Sequence, residues 1–552
     1  MSEPFIAADI ATPSPLINTG CLSGLRFMAP GTPAPHDGMV YRSRGAVLVI
    51  GDSAAAANAA RQLLGRAPRL RIALFAPGAG ALADLPSNIT AVGGRIVSLQ
   101  GHLGQFVAEV RVAVDKCEDA GIFSPNADRR FDLVLDLCRQ PLLRQNVLPH
   151  GYYALGDDAA ALSRALDSLS QLSGDFHKPK YFDYRPQLCA HGAMGVSGCT
   201  RCIEACDAAA IRSAGERIEV DPWLCQGCAS CALACPTGAL SFQSPPASVL
   251  QEVLTDLLAA HAGDTEATFL VVHDAASRPM LPATAPSGVV LFEVNPLPAF
   301  SDVMWLTALA GGASGVVMLA APAAAPRSRA LIEQKLGELR AILASFGGDP
   351  AMQQIATRTN VGVLIDQIKS GTRALTATVK CNPSDEKRAS FLALVDALAQ
   401  SRPAGDQTRE PCPLPAGAAF GEVRVDAGKC TICHACVHLC PTGALSGRLE
   451  PAPALQFTES LCVQCDLCRA GCPEKAITLR ARFLPDAVAR ETTRELASDE
   501  LVPCRGCGTP YIGQRKLAAS LALMQQHASA MPGGLDSLRM CPACRQRETM
   551  AL

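Results

Sequence analysis

Apolar residues fall in short runs that alternate with amphipathic stretches, the pattern of layered α/β folds. The run Gly45-Ala-Val-Leu-Val-Ile-Gly51 reads as a buried strand. It passes through Asp52-Ser53-Ala-Ala-Ala56 into a helix reaching about Leu64. Further strands are predicted near Arg71–Phe75, Thr90–Val97 and Phe131–Leu137, with a helix between the last two, and residues 158–173 read as a helix leading out. Residues 41–175 thus form a small parallel α/β domain. A second such pattern fills 246–400, with helical periodicity at 248–260, 327–346 and 387–400. Its apolar strand runs are Thr268–Val272, Gly288–Glu293, Gly315–Ala320 and Asn360–Ile365. Residues 1–40, rich in Pro, Gly and small polar residues, read as an extended arm. Residues 401–420, with Pro403, Pro411, Pro413 and Pro415, read as a linker.

Val303–Ala325 carries no charge and is long enough to span a bilayer. Gly311, Gly312 and Gly315 divide it, so it parses as a helix, Val303–Ala310, a glycine turn and a buried strand, and no membrane span is expected. The N-terminus, Met-Ser-Glu-Pro-Phe-Ile, has no basic region followed by an apolar core, so no signal peptide is expected. A length of 552 residues suggests about three to four domains. The net charge of −2 makes no global case for nucleic acid or an anionic membrane. The 25 cysteines change the picture. Most stand in metal-ligand spacing, and free thiolates survive best in a reducing compartment, so a cytoplasmic location is expected.

One stretch reads Cys430-Thr-Ile-Cys433-His-Ala-Cys436-Val-His-Leu-Cys440-Pro441, then Cys462-Val-Gln-Cys465-Asp-Leu-Cys468-Arg-Ala-Gly-Cys472-Pro473. Each half is C-x2-C-x2-C-x3-C-P, the ligand pattern of bacterial two-cluster ferredoxins, in which the fourth cysteine of each half crosses to the other cluster. A cubane needs four thiolates at four iron corners. Three come from a tight loop and the fourth from the start of a short helix. On that pattern Cys430, Cys433, Cys436 and Cys472 hold one cluster, and Cys462, Cys465, Cys468 and Cys440 its neighbour. Zinc sites use cysteine pairs rather than triplets. Residues 421–482 therefore resemble a two-[4Fe-4S] ferredoxin domain.

Residues 176–245 carry a second, altered copy. Cys225-Gln-Gly-Cys228-Ala-Ser-Cys231-Ala-Leu-Ala-Cys235-Pro236 is a complete run. Its companion has nine residues between Cys189 and Cys199, continues through Cys202 and Cys206, and has Asp207 in place of proline. A loop insertion that keeps Cys189 as a ligand gives Cys189, Cys199, Cys202 and Cys235 at one site and Cys225, Cys228, Cys231 and Cys206 at the other. A three-cysteine site with an open iron is the alternative. Both copies share Cys-Pro-Thr-Gly-Ala-Leu, at Cys235–Leu240 and Cys440–Leu445, so a whole domain is repeated. His177, His191, His434 and His438 lie near these cysteines and read as side chains beside the loops rather than ligands.

The tail, 483–552, is predicted to start with a charged helix at about 485–500. Cys504-Arg-Gly-Cys507 and Cys541-Pro-Ala-Cys544 then form two knuckles, which read as a tetrahedral four-thiolate site for one Zn²⁺. A rubredoxin-like mononuclear iron uses similar knuckles but an aromatic core, and here only Tyr511 lies between them. Arg505, Arg515, Lys516, Arg539, Arg545 and Arg547 make the tail mildly basic, and they read as a solvated face that docks an acidic partner, without nucleic acid. Cys21, Cys117, Cys138, Cys381 and Cys412 stand alone and read as ordinary thiols.

The turn after Gly45–Ile50 resembles the dinucleotide fingerprint of Rossmann domains. Ser53 replaces the second glycine and no acidic residue closes the second strand, which argues for a Rossmann-like scaffold and against NAD(P) or flavin. The segment from Leu291 through Gly311-Gly-Ala-Ser-Gly315 into the helix with Glu333 and Arg340 resembles the delta subunit of methyl-viologen-reducing hydrogenases. The cluster cysteines of that family are missing, so a docking or scaffold role is implied. The arrangement, including Tyr181-Phe-Asp-Tyr-Arg-Pro-Gln-Leu-Cys189, is similar to multidomain iron–sulfur proteins encoded beside formate dehydrogenases. That resemblance implies a redox partner such as a molybdenum- or tungsten-dependent formate dehydrogenase. The expected function is single-electron relay through four [4Fe-4S] clusters, as a carrier or subunit of a soluble redox complex. A nucleotide- or flavin-dependent oxidoreductase and an assembly or maturation factor are the alternatives, and no catalytic constellation stands out.

Overall fold

The computed structural model describes residues 26–27, 38–78, 84–155, 159–261, 268–281, 287–321, 325–347, 353–356, 386–401, 410–525 and 534–551. Cys21, Cys381 and the predicted strand Asn360–Ile365 lie outside them.

The N-terminal part comprises β1 (Gly38–Ser43), β2 (Ala46–Ile50), α1 (Ser53–Arg66), β3 (Arg71–Ala76), β4 (Ile89–Gly93), β5 (Arg95–Gln100), β6 (Val107–Ala113), β7 (Lys116–Asp119), β8 (Leu133–Asp136), β9 (Tyr152–Ala154), α2 (Ala159–Gln171) and β10 (Gly174–Pro179). A five-stranded parallel sheet runs β9-β8-β2-β3-β4. Every residue of β2 is buried, as a strand covered on both faces requires. Val47 and Val49 face α1 and α2, which pack on the sheet through small residues such as Ala56 and Ala60. Leu48 and Ile50 face the antiparallel meander β5-β6-β7.

That meander replaces the helix predicted between Thr90–Val97 and Phe131–Leu137. Val107–Ala113 alternates apolar and polar residues, a period of two that suits a strand and not a helix. The predicted strand Thr90–Val97 divides at Gly94, whose φ of +153° only glycine adopts readily and whose missing Cβ makes room for Val110. β1 and β10 pair antiparallel, and Arg26–Phe27 pairs with the other edge of β10.

The first cysteine-rich module follows, with the single-turn helices α3 (Arg201–Glu204) and α4 (Ser230–Ala234) behind its cysteine loops. The middle domain adds α5 (Ala247–His261), β11 (Phe269–His273), β12 (Val289–Glu293), α6 (Asp302–Ala310), β13 (Gly315–Leu319), α7 (Pro326–Ala344), β14 (Gln353–Ala356) and α8 (Lys387–Gln400). Its sheet is parallel, in the order β12-β11-β13-β14. The uncharged stretch parses as expected, α6 then buried β13, and among the described residues no helix is long and apolar enough to cross a membrane.

The middle domain clamps the two modules together. Its core takes in Tyr181 and Phe242 from the first module and Leu414, Ala418, Phe420 and Phe483 from around the second. The described end of the predicted linker is therefore packed rather than free: Ala418 is 1% exposed, and Cys412–Pro413 pairs with Phe483 and Arg482. Its apolar residues supply the burial that its prolines alone did not suggest.

The second module contains β15 (Gly421–Val425), α9 (Ala435–His438), α10 (Leu467–Ala470) and β16 (Ile477–Phe483), with β15 paired antiparallel to β16. The helix predicted at 485–500 is only one turn, Ala487–Glu491, followed by a strand, Arg494–Ser498, paired with Ala454–Phe457. Thr492 and Thr493 favour the extended chain there, and the module edge supplies the pairing. The tail ends with a hairpin, α11 (Gln514–Met524) and α12 (Pro542–Ala551).

Candidate metal centres

Three cysteine loops share one backbone conformation. The residues before and after the middle cysteine both take positive φ: Ile432 and His434, Gln464 and Asp466, Gly227 and Ala229. Left-handed residues alternating with right-handed ones turn successive N–H groups to one side and form an anion-holding concavity. The fourth loop, Cys199-Thr-Arg-Cys202, lacks this conformation; α3 starts directly at Arg201.

The loops bring the cysteines together in foursomes. Burial, then repulsion from Cys433, Cys430 and Cys472, pushes the Cys436 thiol up to about 12. Cys430, Cys433, Cys436 and Cys472 line one cavity with Ile432, Leu455 and Ile477. Burial raises Cys468, and Cys462, Cys465 and Cys440 raise it further. In the first module burial raises Cys202, joined by Cys235, Cys199 and Cys189. Cys206, Cys225, Cys228 and Cys231 line a cavity with Tyr181, Phe182 and Ile211. The fold thus brings the sixteen cysteines together in four groups, with Cys189 beside Cys202.

Apolar walls make four bare thiolates costly and favour a cationic iron core that takes all four sulfurs. Donors already point at the sulfurs. The Ala210 and Ala476 N–H groups reach Cys206 and Cys472 Sγ at 3.3 and 3.4 Å. The repeated Cys-Pro-Thr places Thr237 and Thr442 Oγ1 at 3.6 and 3.7 Å from Cys235 and Cys440 Sγ.

Sequence reading missed the cations that brace these loops. Lys178 Nζ, in a buried residue, donates to the carbonyls of Pro222 and Cys225, both at 2.8 Å, and to Tyr41 Oη at 2.6 Å. Burial brings Lys178 down to about 8. Lys387 Nζ caps the end of α4 through the carbonyls of Ala232, Leu233 and Cys235. Arg388 holds the carbonyls of Ser460, Ala419 and Cys462. Arg515 reaches the carbonyls of Ala427 and Cys430 from α11. Four thiolates outweigh the positive charge of a cubane core, so each loaded site is anionic and gains from such cations. Each cation is remote in sequence from the loop it braces, and no local motif marks it.

Asp207, the residue in place of proline, is 1% exposed and has a structural role. Its carboxylate accepts from Asn146 Nδ2 at 2.7 Å and from the Arg327 and Ser328 N–H groups at the start of α7, at 3.3 and 3.1 Å. It ties three domains together while serving the free N–H groups of a helix. His191 donates from Nδ1 to the Cys199 carbonyl, and His434 from Nε2 to the Ala454 carbonyl. His438 is exposed.

In the tail the sulfurs of Cys504, Cys507, Cys541 and Cys544 all lie within 4.8 Å of one another. A tetrahedron with metal–sulfur bonds of about 2.3 Å has sulfur–sulfur edges of about 3.8 Å, and Cys507 and Cys541 Sγ are 3.8 Å apart. The Cys541 and Gly506 N–H groups point at Cys504 Sγ. Among the described residues no other group of three or more Cys, His, Asp or Glu converges so tightly, the ferredoxin-like foursomes included. One ion needs the tight set and a cubane the wider ones.

Residues 429–477 match the family model of a 4Fe-4S dicluster domain, and residues 197–239 match a second model of the same description. Cys189 precedes the matched span. No curated protein is similar enough to the chain to match it. The two dicluster domains imply four [4Fe-4S] clusters and support a multi-cluster, ferredoxin-type iron–sulfur protein in electron transfer.

Proposed function

We propose that the chain is a single-electron relay that docks to a soluble redox enzyme, with the sixteen cysteines of the four foursomes as cluster ligands. A [4Fe-4S] cubane, when bound, supplies reversible one-electron chemistry. The chain's own residues do the rest. The cysteine loops hold the metal. The N–H and hydroxyl donors at sulfur favour the more negative, reduced state. Lys178, Lys387, Arg388 and Arg515 offset the added charge without moving. The observation that carries this reading is the set of four converging thiol foursomes, whose cysteines other than Cys189 lie within the two matched dicluster spans.

The N-terminal domain, whose parallel strands run 3-2-1-4-5 in chain order, serves as a Rossmann-like scaffold. Its first turn is filled by protein contacts: the Ser53 hydroxyl donates to the Pro77 carbonyl, and a Cβ on Gly51 would meet Leu137 at 2.9 Å. The middle domain is a clamp without a cluster. The tail foursome holds zinc as a structural brace. Formate dehydrogenase is the partner we favour, on the resemblance over Tyr181–Cys189.

Anaerobically purified protein should contain about sixteen iron, equal sulfide and one zinc per chain, with spin-coupled [4Fe-4S] signals on stepwise dithionite reduction. About eight iron would refute the four-cluster relay, and iron in place of zinc would refute the structural reading of the tail. Cluster bleaching by formate plus a formate dehydrogenase, absent without that enzyme, tests the partner.

A further inference from the structure

The nine residues inserted between Cys189 and Cys199 have no place in a ferredoxin ligand run, and the structure shows what they touch. They form a tight hairpin, Gly192–Ala193 against Val196–Ser197, that reaches the second module. A Cβ on Gly198 would lie 2.6 Å from Leu467 Cγ and 2.9 Å from the Cys465 carbonyl, so only glycine lets the two backbones approach this closely. On the other side of the contact, a Cβ on Gly471 would meet Val196 Cγ2 at 3.5 Å.

Arg201 locks the contact. Its Nη1 lies 3.7 Å from Cys199 Sγ and donates to the Val463 carbonyl at 3.1 Å. Its Nη2 donates to the Gln464 carbonyl at 3.1 Å and the Ala418 carbonyl at 3.3 Å, and its Nε to Gly417. One guanidinium thus bridges a cysteine loop of each module. Gly198 and Arg201 flank Cys199 and meet the backbone of Val463, Gln464 and Cys465, so the Cys199 foursome of one module faces the Cys462 foursome of the other. Within each module the foursomes adjoin, because cysteines only four residues apart belong to different ones: Cys206 lines the Cys225 cavity and Cys202 does not, and Cys436 lines the Cys430 cavity and Cys440 does not.

We propose that the inserted hairpin and Arg201 form an electrical joint between the modules. They place the foursomes in one series: the Cys225 site, the Cys199 site, the Cys462 site and the Cys430 site. Arg201 is a positioning residue that also offsets negative charge on both sides. This rests on the four-cluster reading above and deepens it. An electron crossing the joint leaves one side oxidised by one unit and the other reduced by one. No bond forms or breaks and no proton is needed. A one-electron protein donor supplies the electron and a one-electron protein acceptor removes it.

The test uses the full chain, reconstituted anaerobically, as wild type, Gly198→Val, Arg201→Met and Arg201→Lys. In partly reduced wild type, EPR should show magnetic interaction between clusters of different modules as well as within each pair. Gly198→Val and Arg201→Met should lose the inter-module interaction, retain the coupling within each pair and keep wild-type iron and sulfide. Arg201→Lys, which keeps the charge but not the spread of donors, should restore it in part. Hydrogen exchange at 192–198 and 463–471 should quicken more than about tenfold in the first two variants, with or without clusters.

Two independent cluster pairs in the wild type, or an inter-module interaction unchanged in both variants, would overturn the joint. If Gly198→Val does not fold, the wild-type spectrum and the Arg201 pair decide. Iron far below about sixteen per chain would strike the four-cluster reading itself, whereas full iron with uncoupled modules strikes the joint alone.

Discussion

Replacing Arg388 by methionine should loosen the second module locally and strongly. Arg388 lies on α8, and its guanidinium is enclosed although the residue keeps some exposure. It donates to the Ser460 and Cys462 carbonyls at 2.6 Å each and to the Ala419 carbonyl at 3.1 Å, and sits 4.6 Å from the centre of the Phe420 ring. A buried carbonyl left without its partner costs about 1–3 kcal/mol, and the cation–ring contact contributes about 1 kcal/mol. Burial lowers Arg388, so relief of its desolvation offsets part of that loss. With three carbonyls orphaned, the net loss is about 3 kcal/mol. A chain of several domains does not unfold in two states, so the assay is native-state hydrogen exchange. Amides in β15 and β16 should exchange roughly 150-fold faster, at tenfold per about 1.4 kcal/mol, while β2 and β3 stay unchanged. Arg388→Lys should recover less than half, because an ammonium cannot span three divergent carbonyls. Acceleration below about threefold in Arg388→Met, or equal acceleration in β2 and β15, would refute the idea that this residue clamps the module.

Arg490 is 2% exposed and holds both Asp396 carboxylate oxygens at 2.7 Å, so Asp396→Asn should cost about 3 kcal/mol, read as faster exchange in α8 and around Phe483. Burial alone would raise Glu459, but hydrogen bonds from Arg482 and Arg494 outweigh it and hold the carboxyl below its usual range. Its contribution is therefore complete above the unfolded value of about 4.3 and lost as pH falls through the folded one. Acid titration of stability should be flatter below about pH 4.3 in Glu459→Gln than in wild type. Thr442→Val removes a hydroxyl beside Cys440 Sγ and should lower one cluster midpoint by about 20–60 mV in a potentiometric EPR titration, on the strength of one hydrogen bond. Asp207→Ala should leave iron content intact but loosen the start of α7 by about 2 kcal/mol, seen as faster exchange at Arg327 and Ser328.

The sequence by itself determined the local chemistry. Ligand runs such as Cys430–Cys440 are short, and their spacing dictates how a loop must turn, so residue order already pointed to the cysteines that the fold brings near one another. The strands Ala46–Ile50 and Gly315–Leu319 were equally legible, because an apolar run of that length can be satisfied only inside a covered sheet. The segment between Val97 and Phe131 and residues 485–500 were misread for different reasons. The first is a local meander whose period of two at Val107–Ala113 was overlooked, whereas Arg494–Ser498 finds its partner in the remote Ala454–Phe457, which a window of charged residues does not reveal. The tertiary structure alone decided how the modules sit. Arg201, Lys387 and Arg388 act on carbonyls far away in the chain, and carbonyls carry no side-chain signature. The nine residues between Cys189 and Cys199 read only as a loop insertion, and it is the fold that makes them a hairpin and sets Gly198 against Cys465. Spacing along the chain sets how a ligand loop turns, whereas the contact between the modules is made by residues that are neighbours only in space.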